Sequence, residues 1–300
     1  MNMSVNIAGV EWKNPVTVAS GTFGSGAEFE EFVDINKLGA VTTKGGANVP
    51  WAGNATPRVA ETYGGMMYAI GLQNPGIDLF CERDIPFLKK YDTKIIVNVC
   101  GHAPEEYFEV VERLADEPID MMEINISCPN VNAGFLAFGQ DPKQVEALTA
   151  EIKKRAKQPV IMKLTPNVTD ITAIAKAAEA GGADAVSLIN TLTGMKIDVN
   201  RRAFAVANKT AGVSGPAIHP IAVRMVYQVA NAVNIPIIGM GGIASAEDAI
   251  EMILAGASAV AVGTANFYNP AITMEVVDGI EAYMKKHGFE TVADMVGIVK

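Results

Sequence analysis

The chain has 300 residues, 49% of them hydrophobic, and a net charge of −9. That length suits one large α/β barrel or two ordinary domains, and that apolar share supports an extensive core. The negative balance argues against a nucleic-acid or anionic-membrane surface, yet it permits a local cluster of lysines and backbone N–H groups around a small anion. The three cysteines, Cys81, Cys100 and Cys128, have no metal or iron–sulfur spacing, and an odd count makes no disulfide framework. A reducing cytoplasm is the expected compartment. The opening Met1-Asn2-Met3-Ser4-Val5-Asn6 lacks a basic segment followed by an apolar one, so no signal peptide is expected. No apolar run approaches the ~20 residues of a membrane helix.

Taken in order, β-rich runs are expected at 16–20, 40–44, 94–99, 119–125, 159–164, 183–190, 236–240 and 257–263. Most are continuous apolar runs, as in a parallel sheet buried on both faces. Helical patterns fill the gaps. The stretch 104–115 opens with Pro and two Glu, a good first turn. The stretch 141–157 has Asp141 as N-cap, Pro142 at the first helical position and basic residues near its end. The stretches 169–180 and 245–254 stop at glycines, 220–233 fills the next gap, and 274–286 is a closing helix. This alternation predicts one (β/α)₈ barrel domain spanning 1–300. The runner-up is a doubly wound open sheet, weakened by the absence of G-x-G-x-x-G after the first strand. Segments 45–90, 127–140 and 191–219 are too long for simple connections. In a barrel all three would rise from the C-terminal ends of strands and cover one mouth.

Chemistry-bearing residues gather at those strand ends. Asn125-Ile126-Ser127-Cys128-Pro129-Asn130 brings a thiol, a hydroxyl and two amides to a strand-to-loop edge. A lone cysteine is more often a small buried hydrophobe, so its neighbours must decide. Gly239-Met240-Gly241-Gly242-Ile243 and Ala261-Val262-Gly263-Thr264-Ala265 end the seventh and eighth strands, the usual phosphate loops of a barrel. Their glycines could also serve only as tight turns. Lys44 and Lys163 end apolar strands; each could snorkel to the rim or point inward toward an anion or electron-rich ring. Asn98, Asn125 and Asn190 also end strands, where Asn is uncommon. Asn74, in Asn-Pro-Gly, reads equally as a turn residue. A phosphorylated planar cofactor beneath a small polar substrate fits this set. Flavin mononucleotide (FMN) suits it, and pyridoxal phosphate would also need a phosphate cup and a lysine. No metal is indicated by the scattered His102, His219 and His287.

Ala19-Ser20-Gly21-Thr22-Phe23-Gly24, Asn54-Ala55-Thr56-Pro57-Arg58, Asn-Ile-Ser-Cys-Pro-Asn at 125–130, Lys-Leu-Thr-Pro-Asn at 163–167 and the glycine loops together resemble the class 1 dihydroorotate dehydrogenases over nearly the whole chain. Ile70-Gly71-Leu72-Gln73-Asn74-Pro75-Gly76 and the run 261–267 resemble the 1B, NAD-linked branch. The resemblance implies FMN held by Ser20, Lys44, Gly45, Asn98, Asn125, Lys163, Ile189 and Gly215, with its phosphate on Gly241, Gly242, Gly263 and Thr264. It implies substrate contacts from Lys44, Tyr68, Ala69, Ile70, Gly71, Leu72, Asn125, Asn130, Asn190 and Thr191, and Cys128 as catalytic base. Oxidation of dihydroorotate to orotate would remove a proton from C5 to Cys128 and a hydride from C6 to the flavin. Ser127 is a candidate relay for that proton. Lys163 would stabilise the reduced ring.

One position departs from the family pattern. Tyr68 stands where an Asn usually contacts the pyrimidine, and a phenol cannot offer the paired groups of an amide. The ring shifts, or Tyr68 turns away and Asn74 compensates, or the substrate is a related pyrimidine. The 1B resemblance implies a partner subunit carrying FAD and a [2Fe–2S] cluster that reduces NAD⁺, in a heterotetramer built on a homodimer of this chain. Three alternatives remain at this point: a dihydropyrimidine dehydrogenase-like flavoenzyme, a fumarate-dependent 1A-type homodimer, and a flavin-free phosphate-binding barrel isomerase.

Overall fold

The structure is a computed structural model that describes residues 1–127 and 138–299. The eight expected barrel strands are present as Val16–Val18, Ala40–Thr42, Lys94–Val99, Met121–Asn125, Val160–Lys163, Ala185–Leu188, Ile237–Met240 and Ala259–Val262. All are parallel, each pairs with its chain neighbour from the second strand to the eighth, and the eighth pairs with the first. That cyclic order excludes the doubly wound alternative, whose strand order reverses. The seam between strands one and two is closed by the hydroxyls of Thr17 and Thr42 at 3.2 Å and by Gly39 N donating to Val16 O at 3.1 Å. Gly39 is required there, because a Cβ would stand 2.0 Å from Asn14 O.

The helices expected between strands form, and a further helical stretch at 77–88, which the patterning did not single out, lies between the second and third barrel strands. Asp141 caps Pro142–Lys153 by accepting from Lys143 N, Asp170 caps Ile171–Ala180, and Ser245 caps Ala246–Ala255. Pro104–Leu114 buries Tyr107, Val110, Val111 and Leu114, the i, i+3, i+4, i+7 stripe that faces the barrel. His219–Ala230 starts one residue before its expected Pro220, and Ile272–His287 extends slightly at both ends. Among the described residues no helix is long and apolar enough to cross a membrane.

The barrel interior changes character along its axis. Ala40, Ile96, Met121, Ile161, Ala185, Ile238 and Ala259 form one buried apolar cluster. Two residues further along the strands, which is one inward-facing position, stand Thr42, Asn98, Glu123, Lys163 and Ser187, all buried. Polar side chains are therefore confined to the C-terminal half of the bore. The opposite end is plugged by the antiparallel hairpin Val5–Ile7 and Val10–Trp12, whose Ile7 and Trp12 join the apolar cluster.

Parts of segments 45–90 and 191–219 meet over the C-terminal mouth, as expected, but they do so as a sheet; residues 77–88, within the first segment, are instead helical and pack into the core, and most of 127–140 lies outside the described residues. The antiparallel order of the sheet is Leu192–Met195, Thr210–Ser214, Gly65–Tyr68, Val59–Thr62. Sequence patterning missed these strands because they are short, interrupted by Gly65, Gly194 and Gly212, and partly exposed along their length. Gly65 has no alternative, since a Cβ would lie 1.9 Å from Ser214 O.

Trp12 anchors the plug, so Trp12→Ala should lower the unfolding free energy by about 3–5 kcal/mol in a urea titration, with the ligand affinity of the folded protein unchanged. A change below about 1 kcal/mol would show that the hairpin does not seal the barrel.

Candidate active site

The mouth encloses a cavity of about 1090 Å³, counting the space open to solvent. Its walls bring together residues far apart in the chain, from Ala19 to Phe267. Of the cofactor set named from sequence, Ser20, Lys44, Gly45, Asn98, Asn125, Lys163, Ile189, Gly241, Gly242, Gly263 and Thr264 line it. Of the substrate set, Tyr68, Ile70, Gly71, Leu72, Asn190 and Thr191 do as well. Gly215 and Ala69 are not in the wall. The Gly215 carbonyl backs Gly242, lying 2.8 Å from where a Cβ there would sit, and Ala69 is buried behind the cavity. Cys128 and Asn130 lie outside the described residues.

The floor is polar and tightly bonded. Lys163 is 4% exposed, so it does not snorkel; its Nζ donates to Ser20 Oγ at 3.0 Å and stands 3.5 Å from Glu123 Oε1. Asn98 Nδ2 donates to the same Glu123 oxygen at 2.6 Å. The other amide atom, Asn98 Oδ1, is buried with no partner among the described residues. Such an acceptor costs about 1–3 kcal/mol unless a ligand N–H meets it. Gly45 leaves that acceptor uncovered: a Cβ there would stand 2.9 Å from Asn98 Oδ1 and 3.2 Å from Cys100 Sγ.

On one side two amides and a hydroxyl form a hydrogen-bonded chain. Asn190 Nδ2 donates to Ser127 Oγ at 2.7 Å, and Ser127 Oγ donates to Asn125 Oδ1 at 3.0 Å. Tyr107 holds the Asn125 backbone by donating to its carbonyl at 2.9 Å. The residue before Cys128 is thus locked by two of the predicted amides. Asn167, from the Lys-Leu-Thr-Pro-Asn run, fastens the overlying sheet: its Nδ2 donates to Thr191 O at 3.0 Å and its Oδ1 accepts from Thr193 N at 2.9 Å.

On the other side lies a backbone cradle suited to an anion. Gly241 and Gly242 have φ of 129° and 72°, and side chains there would collide with Ala222 and His219. His219 Nδ1 lies 2.8 Å from Gly241 O, holding the loop from below. Across the gap, Thr264 Oγ1 donates to Ser214 Oγ at 2.8 Å. The cradle and the polar floor fit a group with a phosphate at one end and a planar ring carrying N–H donors at the other.

A family model described as dihydroorotate dehydrogenase matches residues 2–284. The chain belongs to the dihydroorotate dehydrogenase family. It is 69% identical over 300 residues, all of both chains, to the "Dihydroorotate dehydrogenase B (NAD(+)), catalytic subunit" of Lachnoclostridium phytofermentans. It is 63% identical over 297 residues, 99% of this chain and 98% of the relative, to the protein of the same name from Alkaliphilus metalliredigens. The crystal structure of DHODH from Eimeria tenella in complex with ferulenol shares the fold at a TM-score of 0.83 and 22% identity, covering 99% of this chain and 88% of that one.

Within this dihydroorotate dehydrogenase fold, Tyr68 lines the cavity from the overlying sheet, where it pairs with Gly212. Asn74 does not face the cavity. Its Oδ1 accepts from Ala47 N and Gly76 N and its Nδ2 donates to Leu72 O, so it serves the loop backbone and cannot compensate for Tyr68. Sequence reading also missed Glu123, Met66, Ser214 and Phe267. Glu123 carried the signal used for Lys163, a charge inside an apolar strand run. Cys81 lies apart from the cavity; burial, then the Glu117 carboxylate, pushes its thiol up to about 11. No group of three His, Cys, Asp or Glu side chains that could hold a metal occurs among the described residues.

Gly45→Ala would cover the Asn98 acceptor. It should leave the fold intact and, if the cavity takes the FMN that the sequence resemblance implies, weaken its binding about tenfold or more, from the roughly 1–3 kcal/mol of a blocked buried acceptor. Fluorescence titration of the flavin-free protein measures this, and unchanged affinity would show that Asn98 Oδ1 does not meet the cofactor.

Proposed function

We propose that this chain is the catalytic subunit of an NAD⁺-linked dihydroorotate dehydrogenase. It would oxidise (S)-dihydroorotate to orotate in cytoplasmic pyrimidine biosynthesis, with one FMN per chain. The observation that carries this reading is the convergence of the Lys163–Asn98 floor, the hydrogen-bonded chain Asn125–Ser127–Asn190 and the glycine cradle on one cavity. Full-length similarity to relatives named as the B-type catalytic subunit favours the NAD-linked branch over the fumarate-linked one. Family membership also favours the redox reading over a flavin-free isomerase.

The residues divide the work. Gly241, Gly242, Gly263 and Thr264 would hold the phosphate through backbone N–H groups and a hydroxyl. Asn98 would accept from a ring N–H, and Lys163 would oppose negative charge on the ring. FMN, when bound, supplies the two-electron acceptor for the C6 hydrogen. Lys44, Asn125, Asn190 and Thr191 would orient the pyrimidine, and the overlying sheet would exclude water. Cys128, as thiolate, would take the C5 proton, which leaves the C5=C6 double bond of orotate when C6 gives up its hydrogen with both electrons. Electrons would leave through a partner subunit with FAD and a [2Fe–2S] cluster, within a heterotetramer.

Tyr68 makes a dihydropyrimidine such as dihydrouracil the informative competitor, because that substrate lacks the carboxylate of dihydroorotate. The reading predicts higher kcat/KM for dihydroorotate. Preference for dihydrouracil would instead support the dihydropyrimidine dehydrogenase-like alternative. Cys128→Ser should retain bound FMN yet lower dihydroorotate oxidation at neutral pH by about 10²–10⁴-fold, with activity recovering as pH rises. Near-normal turnover at neutral pH would remove Cys128 from the role of base.

A further inference from the structure

Glu123 is 2% exposed and takes no part in the chemistry described above. It sits inside the barrel one inward position below Asn125, and three donors converge on it. Asn98 Nδ2 reaches Oε1 at 2.6 Å, Ser187 Oγ reaches Oε2 at 2.8 Å, and Lys163 Nζ lies 3.5 Å from Oε1. Strand register brings them together, since Asn98 is the Cα partner of Glu123 and Ser187 that of Lys163.

Two consequences follow from chemistry alone. A carboxylate only accepts, so Asn98 has to turn its NH₂ toward Glu123 and its oxygen away. That oxygen is the partnerless buried Oδ1 beside cavity-lining Gly45. The carboxylate also balances the Lys163 ammonium, which without it would be a lone cation in a site where charges act strongly on one another. A neutral side chain of the same shape would keep the packing but lose both effects: a glutamine could present either oxygen or NH₂ to Asn98, and it would leave Lys163 uncompensated.

We propose that Glu123 is a positioning residue that sets the amide orientation of Asn98 and tempers the charge of Lys163, and so holds down the reduction potential of the bound flavin. The inference rests on the FMN reading above. Glu123 would not touch the cofactor; it acts through the two side chains that do.

The test is the two-electron midpoint potential of the bound flavin, measured by spectroelectrochemistry on the FMN-loaded protein. Glu123→Gln leaves net positive charge under the ring and should favour the reduced flavin at least about tenfold, a rise of about 30 mV for a two-electron couple. The paired variant Asn98→Asp with Glu123→Gln keeps one carboxylate and the hydrogen bond between the two positions but moves the charge to the cofactor side. Its potential should fall below that of the wild type. Because it retains charge balance with Lys163, it gives the decisive reading if Glu123→Gln alone folds poorly. Flavin-loaded variants whose potentials match the wild type would overturn the role of Glu123. A wild-type protein that takes up no FMN is a different result and overturns the flavin reading itself.

Discussion

The Nζ of Lys163 and the carboxylate of Glu123 stand 3.5 Å apart inside the barrel, and both side chains are almost wholly buried. Removing either charge from water costs several kcal/mol, a cost offset by the opposite charge and by the hydrogen bonds around the pair. Ser20, Asn98 and Ser187 supply those bonds from three other strand ends. The pair therefore fixes which strands must be neighbours and in what register, a demand met by the parallel ladder that sets Asn98 opposite Glu123 and Asn125 opposite Lys163. One layer lower the bore is apolar, filled by Ile96, Met121, Ile161 and Ile238 and sealed by Trp12. The boundary between the two layers is the floor of the cavity.

Above that floor, residues far apart in sequence are tied into one roof. The strands Gly65–Tyr68 and Thr210–Ser214 pair directly, and Asn167 fastens the sheet to the fifth barrel strand's loop. The same arrangement sets the cradle: Gly215 follows the roof strand and its carbonyl fills the space a side chain at Gly242 would need, while His219 begins the next helix and contacts Gly241. An anion at Gly241–Gly242, a ring over Asn98 and Lys163, and a small polar molecule beside Asn125 and Asn190 would thus share one rigid frame. For a reaction that removes a proton and a hydride from adjacent carbons, such a frame would hold the substrate in register with the hydride acceptor.

The barrel was legible in the sequence because its strands are continuous apolar runs bounded by polar strand ends, and because capping residues such as Asp141 and Ser245 mark the helices. The polar strand ends were legible for the same reason, since Lys163, Asn98 and Asn125 interrupt runs of Val, Ile and Met. Glu123 escaped notice although it interrupts a run just as plainly, because its role depends on a register that only the paired strands reveal. The roof sheet was hidden by short, glycine-interrupted strands whose pairing is long-range. Asn74 could be read as ligand or turn, and only its three bonds to backbone decide for the turn. Cys128 was singled out by its motif, and it lies outside the described residues.

A flavin in this cavity should accept electrons from dihydroorotate. Anaerobic titration of the FMN-loaded protein with dihydroorotate, followed in the visible spectrum, tests it most directly. The flavin absorbance should bleach as substrate is added and return when oxygen is admitted. A spectrum that stays fully oxidised in excess dihydroorotate, or a protein that remains colourless when FMN is supplied, would contradict it.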